Sequence, residues 1–168
     1  MADVLGDIRI RPLTEGDCEA ALAVINTAAR WYQEFLPAEE YHDPEMTQDD
    51  WAKETERLRW YGAFAPDALL GVMGLEYVKD VALLRHAYVL PDRQRHGIGS
   101  LLRTYIERQI RGVGRIVVGT YTGNYKAREA LEAAGYALSA DPEAVLRAYY
   151  DIPEDRLQSS VTYEKEIG

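Results

Sequence analysis

Several features are nearly absent from this 168-residue sequence, and each absence narrows the class of protein that it can encode. There is one cysteine, so no disulfide can form within the chain. No apolar run approaches the ~20 residues that cross a membrane, and the first ten residues lack the basic and then apolar pattern of a secretion signal. We therefore expect a cytoplasmic protein without a membrane partner.

Basic charge is scarce as well. The 19 lysines and arginines are outnumbered by 28 aspartates and glutamates, which gives a formal net charge of -9. A protein that binds nucleic acid needs a basic face to displace counterions, so we expect no nucleic-acid partner. The acidic balance favours a cationic or neutral substrate over an acidic one. We expect no bound metal.

The apolar residues follow strand and helix periods in a definite order. They predict a strand, two helices, three antiparallel strands, a helix, a strand, a further helix and two final strands. The two early helices each follow a threonine that has an aspartate three residues later, at Thr14 and Thr47. A short helix is predicted to begin at Asp141-Pro142, before the last strand. No repeat or linker divides this pattern, so we predict one mixed α/β domain over residues 1–168.

Three of the 19 lysines and arginines lie, together with His96, in one glycine-containing stretch, LPDRQRHGIGSLLR, at residues 90–103. This stretch follows a predicted strand and opens a predicted helix, whose first N–H groups have no partner within the helix. Gly97 and Gly99 would let an anion approach the backbone closely, so the loop could cradle a pyrophosphate. The same residues could equally form an ordinary turn. Two standard phosphate loops do not fit, because position 102 is leucine rather than a third glycine and no GK[ST] triplet is present.

Two segments make a more specific comparison possible. The pattern V-x-P-x-x-Q-x-x-G-I-G, at residues 89–99, is similar to the acyl-CoA pyrophosphate loop of the GNAT superfamily of N-acetyltransferases. Downstream, Asn124, Ala127, Gly135 and Tyr136 resemble the family pattern N-x-x-A-x-x-x-x-x-x-x-G-[FY]. The order of predicted elements also resembles that of the family, and the resemblance covers nearly the whole chain.

The resemblance implies a fold and a way of holding a cofactor. The expected fold is a central, mostly antiparallel sheet flanked by helices, with a splayed fourth and fifth strand. The expected co-substrate is acetyl-CoA, with its pantetheine arm along the main chain at the end of the fourth strand and its pyrophosphate in the loop. By match to the motif, the cofactor-binding residues are Tyr88, Val89, Leu90, Gln94, Arg95, His96, Gly97, Ile98, Gly99, Ser100 and Asn124.

The resemblance also implies a reaction, the transfer of an acetyl group to an amine that attacks the thioester directly. Here the sequence departs from the family. Leu131 stands where many members have a tyrosine that protonates the departing thiolate, and Leu83 stands where several have a glutamate base. His86, Glu76 or a water relay could take the base's place, although His86 could also be an ordinary core histidine. A non-catalytic sensor of acyl-CoA on the same fold is therefore an alternative.

The acceptor is expected to be a small-molecule or peptide amine. Candidate acceptor-binding residues are Trp31, Tyr32, Glu34 and Arg85, because aromatic rings and carboxylates bind cationic amines and the family usually binds its acceptor near the first two helices. Ordinary core packing would explain the aromatic residues equally well. The sequence leaves open whether the chain forms a homodimer.

Overall fold

The computed structural model describes residues 7–94, 97–152 and 154–167. The strands in these residues are β1 (Arg9–Pro12), β2 (Arg59–Ala65), β3 (Ala68–Val78), β4 (Val81–Val89), β5 (Arg115–Tyr121), β6 (Ala137–Leu138) and β7 (Ser160–Glu166). The helices are α1 (Cys18–Ala29), α2 (Gln48–Thr55), α3 (Ile98–Gln109), α4 (Tyr125–Ala133), α5 (Pro142–Tyr149) and α6 (Glu154–Leu157). Within the described ranges, no helix is long and apolar enough to cross a membrane.

The strands follow the order β1-β2-β3-β4-β5-β7-β6 in one sheet. Strands β4 and β5 run parallel, with Ala82 opposite Ile116. The β1–β2, β2–β3, β5–β7 and β6–β7 pairs are antiparallel. The predicted mixed α/β class with a mostly antiparallel sheet is therefore confirmed.

Local capping residues begin several of the helices, as predicted. The Thr14–Asp17 capping box opens a single 3₁₀ turn, Glu15–Asp17, that leads into α1. At α2 the Thr47 hydroxyl accepts the Asp50 N–H at 3.1 Å, and the Asp50 carboxylate accepts the Thr47 N–H at 2.9 Å. Asp141 caps α5 by accepting the N–H of Ala144 at 3.1 Å. Each of these bonds spans three residues, so a single sequence is enough to predict it.

The chain divides into two compact units. The first comprises Met1–Trp31, His42–Glu76 and Arg85–Ile110, and the second comprises Tyr32–Tyr41, Tyr77–Leu84 and Arg111–Gly168. The boundaries fall within β3 and β4, so each unit holds part of both strands.

In the first unit the sheet carries a helix on each face. Trp60 of β2 stacks on Trp51 of α2, with ring centroids 4.3 Å apart, and its indole N–H donates to Thr55 Oγ1 at 3.1 Å. The next residue, Tyr61, lies on the opposite face, where its ring centroid is 5.8 Å from that of Tyr105 in α3. The alternation of side chains along β2 thus places α2 and α3 on opposite sides of these strands.

The second unit is organised around the β5–β7 pair, which extends from Arg115 opposite Glu166 to Tyr121 opposite Ser160. Val81, Leu83 and Val117 are fully buried in its core. This burial leaves Leu83 with a packing role.

Candidate active site

The end of β4 is joined to the start of α3 by a loop that is anchored at its entry. The Leu90 N–H donates to the Leu70 carbonyl at 2.9 Å, and the Gln94 side-chain amide donates to the Val89 carbonyl at 3.0 Å. Between them a 3₁₀ turn, Pro91–Arg93, closes with an N–H bond from Arg93 to the Leu90 carbonyl at 2.9 Å. The loop therefore leaves the strand in a fixed direction. Arg95 and His96 of the predicted site lie outside the described residues.

Gly97 and Gly99 have different structural reasons for being glycine. Gly97 precedes the first turn of α3 and has φ 79°, a left-handed conformation that a side chain would strain. Among the described residues, a Cβ on Gly99 would meet only the Val89 Cγ2 methyl, at 3.9 Å, which is ordinary van der Waals contact. The packing of these residues therefore does not require glycine at position 99.

The first turn of α3 is open to solvent on one side. No side chain caps the helix at Gly97, and Ser100 is exposed while Ile98 is buried in the core. Gly97 and Ser100 border a groove of about 390 Å³ that runs along α3 as far as Arg108. Unpaired N–H groups beside an accessible groove can bind an anion such as a phosphate.

A second feature of the first unit is a partly buried cluster of five charged or titratable side chains: Glu54, Arg57, Glu76, Arg85 and His86. Arg85 donates to Glu76 at 2.9 Å and lies 3.6 Å from Glu54. Arg57 is bonded to Glu54 and lies 3.5 Å from Glu76. The carboxylates of Glu54 and Glu76 are thus paired with the guanidiniums of Arg57 and Arg85, and His86 is the fifth member of the cluster. In the described part of the chain, no group of three or more His, Cys, Asp or Glu side chains is arranged to hold a metal ion.

His86 interrupts the regular alternation of β4. Its φ is 55°, which is unusual for a residue with a side chain and costs free energy. The imidazole lies against the Trp60 ring, with centroids 5.4 Å apart and planes inclined by 29°, and this places it on the face of the sheet that carries α2. Its Nε2 atom lies 3.5 Å from Glu54 Oε1. Local strain maintained by surrounding contacts is common at functional sites.

Glu54 and Arg57 are the two members of this cluster that the sequence did not reveal, and Glu54 is the one that faces His86. Burial by itself raises the pKa of its carboxyl group, but the neighbouring His86, Arg85 and Arg57 side chains outweigh burial and lower that pKa to about 2. Glu54 is therefore ionised throughout the neutral pH range. No pattern in the sequence links it to His86, because the two lie 32 residues apart on different elements.

The other predicted site residues are distributed over both units. Glu76 is 8% exposed and paired with Arg85, and Trp31 is partly exposed. In the second unit Tyr32 is buried with its ring centroid 4.9 Å from that of Tyr121, whereas Glu34 is exposed. Asn124 caps α4 by accepting the N–H of Ala127 at 3.1 Å. The Asn124 side chain thus caps a helix, and its contact with the cofactor stays a prediction.

A comparison of the sequence with protein families identifies the family of the chain. The model of the acetyltransferase (GNAT) family matches residues 25–136, which is more than half of the chain. The chain belongs to the GNAT acetyltransferase family. The matched segment contains the loop, the charged cluster and Asn124. No curated protein matches the sequence.

Solved structures of other GNAT proteins share the fold. The PaiA N-acetyltransferase of Thermoplasma acidophilum, solved with coenzyme A, has a TM-score of 0.72 and 19% identity over 95% of this chain and 99% of its own. An acetyltransferase of Thermus thermophilus has a TM-score of 0.73 and 19% identity over 99% and 100% of the two chains. The ribosomal-protein-S18-alanine N-acetyltransferase of Escherichia coli has a TM-score of 0.71 and 19% identity over 96% and 94%. These likenesses confirm the predicted GNAT fold.

Proposed function

We propose that the protein transfers the acetyl group of acetyl-CoA to a primary amine, which attacks the thioester directly. Membership of the GNAT family supports the acyl transfer, and the coenzyme A bound to the Thermoplasma relative supports the choice of donor. Bound acetyl-CoA supplies an activated carbonyl and a thiol leaving group. The protein has to hold the donor and accept a proton from the amine.

The observation that carries the proposal is the pair of glycines at the start of α3. Gly97 is explained by its left-handed φ, but nothing within the described protein fills the space beside Gly99 closely enough to exclude a methyl group. A ligand whose phosphates approach the backbone would explain glycine there. We assign the pyrophosphate to the main chain of residues 97–100, with Gln94 holding the loop through its bond to Val89. Arg95 and His96 remain predicted contributors of positive charge, and Tyr88, Val89 and Leu90 remain the predicted pantetheine contacts.

We propose His86 as the group that takes the proton from the amine. Glu76, the other candidate, is paired with the guanidiniums of Arg57 and Arg85, so its carboxylate oxygens already have partners within the cluster. The charged group that His86 faces is the Glu54 carboxylate, whose Oε1 lies 3.5 Å from Nε2. No side-chain acid is assigned to the thiol, because a thiol is acidic enough to leave as the thiolate.

The proposed acceptor is a primary amine on a small molecule or a peptide. One structural relative is named as an N-acetyltransferase of an alanine of ribosomal protein S18, which keeps peptide amines among the candidates. Trp31 and Glu34 have accessible side chains that could contact an acceptor, and Arg85 and Tyr32 remain proposed acceptor residues.

The experiment is a two-stage assay on the purified chain. Isothermal titration calorimetry measures binding of acetyl-CoA, with ATP and NAD as controls, and release of free thiol measures transfer to a panel of amines and short peptides. We expect binding of acetyl-CoA alone and thiol release that depends on an amine. Binding without thiol release on any acceptor would favour the acyl-CoA sensor, which the leucines at positions 83 and 131 also permit. Absence of acetyl-CoA binding would refute both functions.

A further inference from the structure

The two oxygens of the Glu54 carboxylate have different partners. Oε2 lies beside the Arg57 and Arg85 guanidiniums, whereas Oε1 faces His86 Nε2 at 3.5 Å. The carboxylate is thus fixed by cations on one side and faces an imidazole on the other. Its side chain is 18% exposed, as is that of His86, so water screens the pair only in part.

The His86 imidazole has one nitrogen in a defined environment. Nε2 is buried and makes no hydrogen bond to any described residue, and the Glu54 carboxylate is the charged group that it faces. The remaining charges around the ring are Arg57 from the turn after α2, Glu76 from β3 and Arg85 from β4, and these three are bonded to carboxylates or guanidiniums within the cluster.

This environment favours one tautomer of the neutral ring. A neutral imidazole carries one N–H and one lone pair, and the hydrogen-bonding surroundings decide which nitrogen holds the proton. A lone pair on Nε2 would lie 3.5 Å from an ionised carboxylate across a poorly screened gap, which is repulsive. An N–H on Nε2 would bring its positive end near the same carboxylate, which is attractive, and the contact can shorten to a hydrogen bond when an acceptor amine binds.

We propose that Glu54 is a positioning residue, which holds the His86 proton on Nε2 and so leaves the Nδ1 lone pair to accept the proton of the acceptor amine. This inference rests on the proposed acetyl transfer. In the step, an N–H bond of the acceptor's ammonium group breaks and its electron pair stays on nitrogen, which gives the free amine that attacks the thioester. The proton forms a new Nδ1–H bond and converts the imidazole to imidazolium. The ionised Glu54 then stabilises the positive ring. Trp60 supports the ring from one face and limits its rotation.

The first test observes the tautomer directly. Histidine labelled with nitrogen-15 is incorporated, the His86 signals are assigned with His86→Gln, and long-range proton–nitrogen spectra are recorded where the ring is neutral. We expect the Nε2–H tautomer in the wild type and a mixture or the reverse in Glu54→Gln and Glu54→Ala. A wild-type ring protonated on Nδ1, or a tautomer unchanged in both variants, would overturn the proposal. The wild-type spectrum decides even if a variant fails to fold.

The second test separates positioning from general structural support. Glu54→Gln should lower kcat by about tenfold or more, up to the 10²–10⁴-fold that complete general-base catalysis contributes, and leave the KM for acetyl-CoA unchanged. The matched control is Glu107→Gln on α3, which removes a carboxylate that is 17% exposed and bonded to Arg103 at 3.1 Å. It should leave kcat unchanged.

Equal loss of kcat in the Glu54 and Glu107 variants would contradict the assigned role. If the wild-type protein transfers acetyl to no amine, the proposed function fails, whereas the tautomer measurement still reports on the pair.

Discussion

Replacing Gly99 with alanine should make the protein more stable and weaken its binding of acetyl-CoA. The new methyl group would lie 3.9 Å from Val89 Cγ2, so it creates no clash with the residues that the structure describes. Alanine in place of glycine in a helix lowers its free energy by up to about 1 kcal/mol. For a domain of this length, that gain corresponds to a rise in Tm of about 2–4 °C.

The same substitution should weaken the binding of the cofactor. A methyl group where phosphate oxygens approach main-chain N–H groups would push the anion out of hydrogen-bond range. Loss of one such charged hydrogen bond is worth roughly 1.5–3 kcal/mol, which corresponds to a dissociation constant about 10- to 150-fold higher. Calorimetric titration with acetyl-CoA measures this change, and thermal unfolding without ligand measures the stability.

The control is Gly114→Ala, since a Cβ there also meets a single atom, the Ile167 carbonyl oxygen, at 3.9 Å. It should leave acetyl-CoA affinity unchanged. A Gly99→Ala protein that is more stable and binds acetyl-CoA as tightly as the wild type would show that this loop does not approach the phosphates. The placement of the cofactor would then have to be abandoned.

Three further variants test other parts of the molecule. Gly97→Glu places a carboxylate at the loop and should abolish acetyl-CoA binding in calorimetry. Gly97→Ala controls for the strain of φ 79°. Unchanged affinity for acetyl-CoA in the glutamate variant would refute the loop assignment. His86→Ala should lower kcat by about 10²–10⁴-fold with little effect on cofactor affinity, whereas a wild-type pH–rate profile would exclude it as the base. Asp17 accepts hydrogen bonds from Arg11 and from Thr14. These bonds outweigh the effect of burial and lower the pKa of the Asp17 carboxyl group to about 2. Because this pKa is lowered, the carboxylate stabilises the folded state at pH values above the unfolded pKa of about 3.9, and the stabilisation is lost as the pH falls through 2. Asp17→Asn should therefore weaken the dependence of the unfolding free energy on pH between about 4 and 2. An unchanged acid-unfolding curve would contradict this account.

Features set by neighbouring residues could be predicted from the sequence. The threonine–aspartate caps before α1 and α2, the Asp141 cap of α5 and the left-handed Gly135 after α4 depend on groups a few residues apart. The glycine loop and the strand before it are similarly local. These elements, with the order of strands and helices, led to the correct fold.

Features that depend on tertiary contact could not be predicted in this way. The 3.5 Å approach of Glu54 to His86 joins a helix to a strand 32 residues later and leaves no periodic signal. The left-handed φ of His86 has no local marker, because strand periodicity predicts an extended backbone there. Glu76 illustrates the same limit: the sequence offers it as a candidate base, but its burial against two guanidiniums depends on Arg57 and Arg85.

In the proposed mechanism, the backbone of His86 sets selection for thermal stability against selection for activity. Glycine accepts a φ of 55° at little cost, whereas the left-handed conformation costs a residue with a side chain about 1–2 kcal/mol. A library screened only for resistance to heat should therefore enrich glycine at position 86 and discard the imidazole. Consensus or directed-evolution stabilisation of this protein should hold position 86 fixed and seek its gains elsewhere, such as at Gly114.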